Sequence, residues 1–376
     1  MAIIIAPSVL QETIDAYYRG GQNKQFAATE LGLPRNTFCS RLAAAQREGY
    51  KPSPQYLVPT GHVLKGKSML VDAEGNTALT WVKTSRSEEM AKAALLAAIE
   101  ACKETIPRQT PIKSPTVTDS DLLSCYVITD YHIGQMSWGE ETGQDWDIKI
   151  AEDLLVKWIA AAIKHSPNSQ EAIFANIGDL IHTDGILPVT PTSGHVLDAD
   201  TRFAKMVRVA IRVIRRVINM LLEKHKHVYV LMSEGNHDIT SSIWLRELLV
   251  ALYENEPRVT INPTVNPYYA YKHGETALFF HHGHKRKLKE VSRVFAGQYP
   301  EIFGTTKYRY AHMGHMHHTD IKEDQLMIVE QHQTLAARDA HASSGGYMSQ
   351  RGSPVITYHK RFGEFTRTTI RPEMLA

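Results

Sequence analysis

Five times in this chain a short apolar run breaks off into Asp, Asn or His. Cys125 to Ile128 leads to Asp130-Tyr131-His132, and Ala172 to Ile177 leads to Gly178-Asp179-Leu180-Ile181-His182. Val228 to Met232 leads to Gly235-Asn236-His237-Asp238, Ala277 to Phe280 to His281-His282-Gly283-His284, and the segment from Tyr308 to Gly314-His315-Met316-His317. An amide, an imidazole and a carboxylate crowded at a strand end serve no packing purpose. In an open α/β sheet the strand exits are where ligands bind, and these residue types share one property: they ligate metals. A chain with five such exits must fold so that they meet.

Composition bounds what surrounds that meeting point. The chain has 376 residues, of which 43% are hydrophobic, which gives two domains or more as the expectation. Lys and Arg number 42 against 40 Asp and Glu, so no global excess of charge points to a polyanion. The three cysteines, Cys39, Cys102 and Cys125, are too few and too scattered for a disulfide framework or a thiolate metal cluster, which suits a reducing compartment. Neither a signal peptide nor 18 uninterrupted apolar residues occurs, so the expectation is a cytoplasmic protein with no membrane partner.

Residues 1 to 52 read as a helical domain. Ser8-Val9-Leu10-Gln11 looks like a capping box opening a helix that ends near Gly20-Gly21, and a second helix spans about Asn23 to Leu31. Gly32-Leu33-Pro34 turns the chain into a third, Arg35 to Arg47. Ala28, four residues before Gly32, lets the last two helices cross closely, and the unit resembles the helix-turn-helix of DNA-binding regulators. That resemblance implies DNA contacts from Arg35, Asn36, Ser40 and Arg41. Five Lys or Arg against four Asp or Glu in residues 1 to 50 give only a slight basic surplus. A docking module with a polar face is the alternative.

Residues 53 to 118 contain a β-hairpin, 68 to 72 with 77 to 82, then a helix from 87 to 104 and a Pro-containing linker from 105 to 118. This stretch carries no recognisable chemistry. It reads as a spacer or oligomerisation element, which leaves a homo-oligomer open. From 119 to 376, strands near 124 to 130, 172 to 178 and 227 to 233 alternate with helices at 149 to 165, 201 to 224 and 241 to 254. A strand-rich half follows: strands around 258 to 282, 308 to 313, 324 to 333 and 354 to 371, with a helix near 285 to 297. The predicted fold is an α/β two-sheet sandwich with helices outside. The Arg- and Lys-rich face of 201 to 224 reads as a solvated face.

Taken together in order, Asp130-x-His132, Gly178-Asp179, Gly235-Asn236-His237-Asp238, His282-Gly283 and Gly314-His315-x-His317 resemble the calcineurin-like metallophosphoesterase superfamily over about residues 120 to 320. The resemblance implies a dinuclear centre: Asp130, His132 and His317 on one metal, Asn236, His282 and His315 on the other, Asp179 bridging. Mixed imidazole and carboxylate ligation suits Mn first, with Fe, Zn or Ni as alternatives. It also implies that His237 faces the phosphate rather than a metal and that Asp238 orients it through its second nitrogen. An extended chain would point Asp130 with His132, and His315 with His317, the same way. His281, His284, His312 and His318 read as flanking residues.

His182 resembles the nuclease branch, the catalytic subunits of double-strand-break repair complexes, where it would shape the leaving-group side. The protein serine/threonine phosphatase pattern Gly-Asp-x-x-Asp-Arg-Gly is departed from, since His182, Thr183 and Asp184 stand there. The insertion from Ile186 to Thr201 lies outside the nuclease pattern. The whole layout also looks like phosphoesterases carried by phages and prophages. The function expected is metal-dependent hydrolysis of phosphodiester bonds in DNA; a phosphatase or small-molecule phosphodiesterase, or a DNA-binding regulator, are the alternatives.

Overall fold

The computed structural model describes residues 5 to 19, 23 to 53, 62 to 71, 77 to 86, 112 to 191 and 193 to 375. The chain divides into two compact units, Met1–Lys92 and Ala93–Ala376. In the first, helices α1 (Pro7–Arg19), α2 (Lys24–Glu30) and α3 (Arg35–Arg47) enclose a small core of Leu10, Ile14, Ala27, Ala28, Phe38, Leu42 and Ala45. Asn23 caps α2 by accepting from the amides of Gln25 and Phe26, and Gly32 takes the following turn at φ +63. The first helix starts at Pro7, one residue before the anticipated box, because proline suits a first helical turn that has no amide to satisfy. Buried Asp15 fastens the chain beyond α3, accepting from the amide and hydroxyl of Ser53 at 2.7 Å each. Antiparallel strands β1 (His62–Val71) and β2 (Thr77–Arg86) form the expected hairpin and are longer than predicted. Gly20-Gly21, the helix from 87 to 104 and the first half of the linker, 105 to 111, lie outside the described residues.

The second unit is the two-sheet sandwich. One sheet runs in the order β13 (Gly363–Ile370), β12 (Ser353–His359), β3 (Asp119–Ile128), β4 (Ser169–Asn176), β5 (His227–Met232), β6 (Val259–Ile261), with β3 to β6 parallel. The other runs β10 (Asp320–Glu323), β11 (Ile328–Gln331), β9 (Tyr308–Met313), β8 (Thr276–His281), β7 (Tyr269–His273), with β8, β9 and β11 parallel. Alternation at period two sorts their side chains. Leu123, Cys125, Val127, Ile173, Ala175 and Leu231 face Leu278, Phe280 and Tyr269 between the sheets. Tyr126, Ile128, Phe174, Val230 and Met232 face helices α4 (Ile148–His165), α5 (Phe203–Lys224) and α6 (Ile239–Leu252). On the far side Ala277, Phe279, Ala311 and Val329 bury α7 (Leu288–Gln298).

Asp147 caps α4 through the amides of Lys149 and Ile150, and Asp184 receives those of Thr240 and Ser241 in the first turn of α6. The polar face of α5 is solvent-exposed at Arg208, Arg212 and Arg216, and Arg212 grips Glu152 of α4 through two bonds. Because every parallel strand is followed by a crossover, β3, β4, β5, β8 and β9 all end on one side of the sandwich. No helix among the described residues is long and apolar enough to cross a membrane.

Candidate metal centre

The strand exits do meet, in a way the periodicity did not foresee. Asp130, His132, Asp179, His315 and His317 all adopt left-handed backbone, with φ of 51, 48, 54, 76 and 54. The extended geometry expected for Asp130 with His132 and for His315 with His317 is therefore replaced by sharp turns. Neighbouring exits lock those turns: the Asp130 amide donates to Gly178 O at 3.0 Å and the His132 amide to Asp179 O at 3.0 Å. Each non-glycine left-handed residue costs roughly 1–2 kcal/mol, so five in one place mark a site where geometry is held against local preference. At Gly235 the backbone must come close, since a Cβ there would stand 2.0 Å from Asp179 Oδ1.

The donor atoms gather into two sets, Asp130 with His132 and His317, and Asp179 with His282 and His315. Asn236 joins the second, its Oδ1 lying 3.2 Å from His282 Nε2. The two sheets are stitched together here. His282 of the second sheet donates through Nδ1 to Ile177 O at 2.8 Å, and the His315 amide donates to Asp130 Oδ2 at 2.8 Å. With Nδ1 committed to a carbonyl, His282 turns Nε2 toward Asp179 Oδ2 at 3.2 Å and toward the Asn236 oxygen. One imidazole nitrogen thus faces two oxygens across a gap that a proton or a cation can fill. Asp130, fully buried, has Oδ1 without a hydrogen-bond donor although His317 Nε2 stands 3.1 Å away.

Acceptors converging on one another around an orphaned carboxylate oxygen are a cradle for cations, and the imidazole-carboxylate mix fits two divalent transition-metal ions. The buried carboxylates draw positive charge to this point, which a proton or a metal ion can supply. Burial opposes charge on His282, but Asp179 and Asp130 outweigh it and raise the imidazole to about 10. His132 is pushed well down by burial and by the neighbouring His237, leaving a neutral ligand.

His237 lies beside this cradle, with ring centroid 4.6 Å from that of His132. Its amide donates to Asp179 Oδ1 at 2.7 Å, and Nδ1 lies 2.9 Å from His182 O. The expectation that Asp238 orients His237 is corrected: the buried Asp238 carboxylate accepts from the amides of Gly235, Asp179, Leu180 and Ile181 at 2.7 to 3.3 Å. A carboxylate surrounded by four amides has no lone pair directed at the imidazole. It fastens the Asp179 turn to the Asn236 turn instead.

His182, only 1% exposed, stacks on His237 at 5.5 Å and sets Nδ1 3.4 Å from His132 Nδ1. Burial lowers it to about 3, and its Nε2 has no partner.

Residues without a sequence signal complete the site. Thr129 Oγ1 donates to Asp130 Oδ2 and Thr334 Oγ1 to Asp130 O, both at 2.6 Å. Of the flanking histidines, His281, His312 and, through its side chain, His284 are buried, while His318 is exposed. His312, Glu330 and His332 form another group that could ligate a metal, but Arg367 already grips both oxygens of Glu330 and Tyr358 bonds His312. That chain is a packed polar network between strands. On α3, Arg35, Asn36 and Ser40 are exposed and Arg41 is half-buried, and the Ser40 hydroxyl is spent on Asn36 O at 3.0 Å.

Above the metal ligands opens a cleft of about 460 Å³ whose floor includes His132, Asn236, His237, His315 and His317. Its walls come from residues 190 to 198 and 334 to 351, with Arg338 and Arg351 among them.

No protein-family model matches the chain, and no curated protein matches it. Among solved structures it is similar to a predicted phosphoesterase of Streptococcus pneumoniae at 8% identity and TM-score 0.28, covering 66% of this chain and 97% of that one. An archaeal phosphodiesterase aligns at 13% identity and TM-score 0.34 over 66% of this chain and 99% of its own. A dimetal phosphatase of Danio rerio aligns at 8% identity and TM-score 0.36 over 67% and 99%. At such TM-scores the likeness carries no argument, and the functional reading rests on this chain's own residues.

Proposed function

We propose that the chain is a dinuclear-metal-dependent phosphoesterase that hydrolyses phosphodiester bonds, with DNA as its substrate. The observation that carries this reading is the gathering of seven ligand-type side chains from five strand exits into two neighbouring sets, linked by His282 Nε2 at 3.9 Å from the orphaned Asp130 oxygen, at an open cleft. Asp130, His132 and His317 would hold one ion, Asn236, His282 and His315 the other, and Asp179 would bridge. Two such ions supply charge neutralisation at phosphorus and activation of water at neutral pH. The protein's own part is placement. His237, pinned by its amide to Asp179 and by Nδ1 to His182 O, offers Nε2 toward the cleft, where it can donate to a phosphate oxygen or to the departing oxygen. Asp238 keeps the two metal-facing turns in register.

DNA is favoured by the exposed Arg35 and Asn36 on α3, in a three-helix unit whose sequence resembles a helix-turn-helix. A panel tests the reading: Mn²⁺-supported turnover of a phosphomonoester, a small phosphodiester, single-stranded DNA and duplex DNA by the full chain. Cleavage of DNA with a higher kcat/KM than the small diester is expected. Turnover confined to monoesters would overturn it in favour of a phosphatase.

A further inference from the structure

The insertion from Ile186 to Thr201, which matched no pattern in the sequence, builds one wall of the cleft. Its base is tied where Met136 N donates to Asp198 O and Asp200 N to Gly134 O, both at 2.9 Å. Above that, Leu197 N reaches Pro188 O at 2.8 Å and Thr190 N reaches His195 O at 2.9 Å, so the two flanks of the segment are bonded to each other. The returning flank carries His195 and Val196, and Val196, bridged to Val189, is 81% exposed. A large apolar side chain held out on a braced backbone is costly to leave in water, and here it lines a cleft that leads to candidate metal ligands.

The opposite wall is equally braced. Ser343 Oγ donates to Glu141 O at 2.9 Å and Arg351 Nε to Leu335 O at 2.8 Å. Tyr347, 63% exposed, lies over the end of the short helix Ala340–Ser344, where a Cβ on Gly345 would stand 2.6 Å from its ring. His341 of that helix faces His195 across the cleft, with ring centroids 6.1 Å apart. Three rings and an aliphatic side chain thus line the same cleft as His237 and His315.

We propose that this cleft receives one unstacked nucleotide, its base lying against His195, Val196 and Tyr347 while its phosphate sits over the metal ligands. The DNA strand is therefore single-stranded or frayed at the scissile bond. The inference rests on the phosphodiesterase reading and adds its substrate class. A volume of about 460 Å³ is ample for a nucleotide-sized group, and a base whose two faces are covered by its duplex neighbours cannot lie against these rings. Flat rings on both walls offer stacking that any base can use, so the choice is for an unpaired base rather than for a sequence.

The test uses the full chain with Mn²⁺ and three labelled substrates: an intact single strand, the same strand with a central run of abasic nucleotides, and the intact strand in a blunt duplex. Stacking on aromatic side chains contributes roughly 1–3 kcal/mol per base, which converts to about 5- to 150-fold. The wild-type chain should favour intact over abasic positions by a ratio in that range and favour single strand over duplex interior at least as strongly. In Tyr347→Ala and in His195→Ala the intact-to-abasic ratio should fall toward one. Equal cutting of intact and abasic positions by the wild type, or of duplex interior and single strand, overturns the base clamp while the nuclease reading stands. Failure to cut any oligonucleotide while a small diester is hydrolysed sinks the DNA reading, and the clamp with it.

Discussion

The imidazole of His237 is held by a backbone oxygen, the carbonyl of His182, 2.9 Å from its Nδ1. A carbonyl can only accept, so Nδ1 carries a proton and Nε2 is the atom left for chemistry. His237→Gln should keep both metals, because the imidazole is not needed to complete either set, yet lose roughly 10²–10⁴-fold in turnover. Metal content by mass spectrometry beside kcat would check it, and unchanged kcat would remove His237 from the mechanism.

The same relationship revises what His182 should do. Its carbonyl fixes Nδ1 of His237, and its buried ring stacks on His237 and meets His132. His182→Ala should therefore lower turnover of a small diester and of DNA by the same factor. A loss confined to DNA would restore the leaving-group role that the nuclease resemblance implies.

Asp179→Asn should lose metal occupancy and activity together. The carboxylate sits 3.2 Å from His282 Nε2 through one oxygen while the other accepts the His237 amide. Removing its charge leaves the second metal set with only neutral donors. Two ions per chain in an active variant would show that Asp179 does not bridge.

Asp238→Ala would strip the acceptor from four amides in a buried turn. Unpaired buried amides cost about 1–3 kcal/mol each, so a stability loss of roughly 3 kcal/mol or more is expected. Urea unfolding of the metal-free chain would measure it apart from catalysis, and a loss below about 1 kcal/mol would mean that water replaces the carboxylate.

His225, far from the metal ligands, should set part of the acid limit of stability. Burial pushes its imidazole down to about 4, where Tyr126 Oη meets Nε2 at 2.8 Å and Ser169 O meets Nδ1 at 2.8 Å. Lys224 adds a positive neighbour that lowers it further. The folded state thus prefers the neutral ring. Its contribution is fully present above the unfolded value near 6.5 and is lost as pH falls from there to about 4. The displacement corresponds to roughly 3 kcal/mol. Denaturant midpoints of the wild type and of His225→Gln should converge between pH 7 and pH 4; parallel profiles would mean that other groups carry the acid transition.

What the sequence made legible was periodic or compositional. The apolar runs Cys125 to Ile128 and Ala172 to Ile177 were legible as strands and 201 to 224 as a helix with a basic face, while the sorting of the strands' side chains onto two faces needed the fold. The ligand types at strand exits announced a metal centre, but not the left-handed turns at Asp130 and His315, because backbone conformation there is imposed by hydrogen bonds from other exits. Asp238 next to His237 suggested a carboxylate-imidazole pair. Adjacent residues diverge in a turn, and four amides competed better for the charge. The cleft walls were invisible for a similar reason: His195 and Tyr347 lie far apart in the chain and carry no motif, and only the fold brings them to the same opening.

The last prediction concerns the helical unit and whether it addresses the enzyme to nucleic acid. Arg35 and Asn36 stand exposed on the first turn of α3, while Arg41 is half-buried and Ser40 has turned its hydroxyl onto its own helix. The basic surplus that continues past α3, nine Lys or Arg against six Asp or Glu in residues 51 to 118, would reinforce phosphate contacts. Such contacts release counterions, so DNA binding should weaken as salt rises, with a log-log slope of roughly −0.9 per contact on duplex. Arg35→Ala in the full chain should shift that slope by about one contact and lower the ratio of DNA cleavage to small-diester hydrolysis at low salt. High salt should close the gap, because the contact being lost is electrostatic. Asn36→Ala should change the preference among sequences more than the slope, since an amide reads base edges and carries no charge. If Arg35→Ala leaves slope and ratio alike unchanged, the exposed face of α3 meets a protein rather than DNA, and the strand must reach the cleft without help from the helical unit.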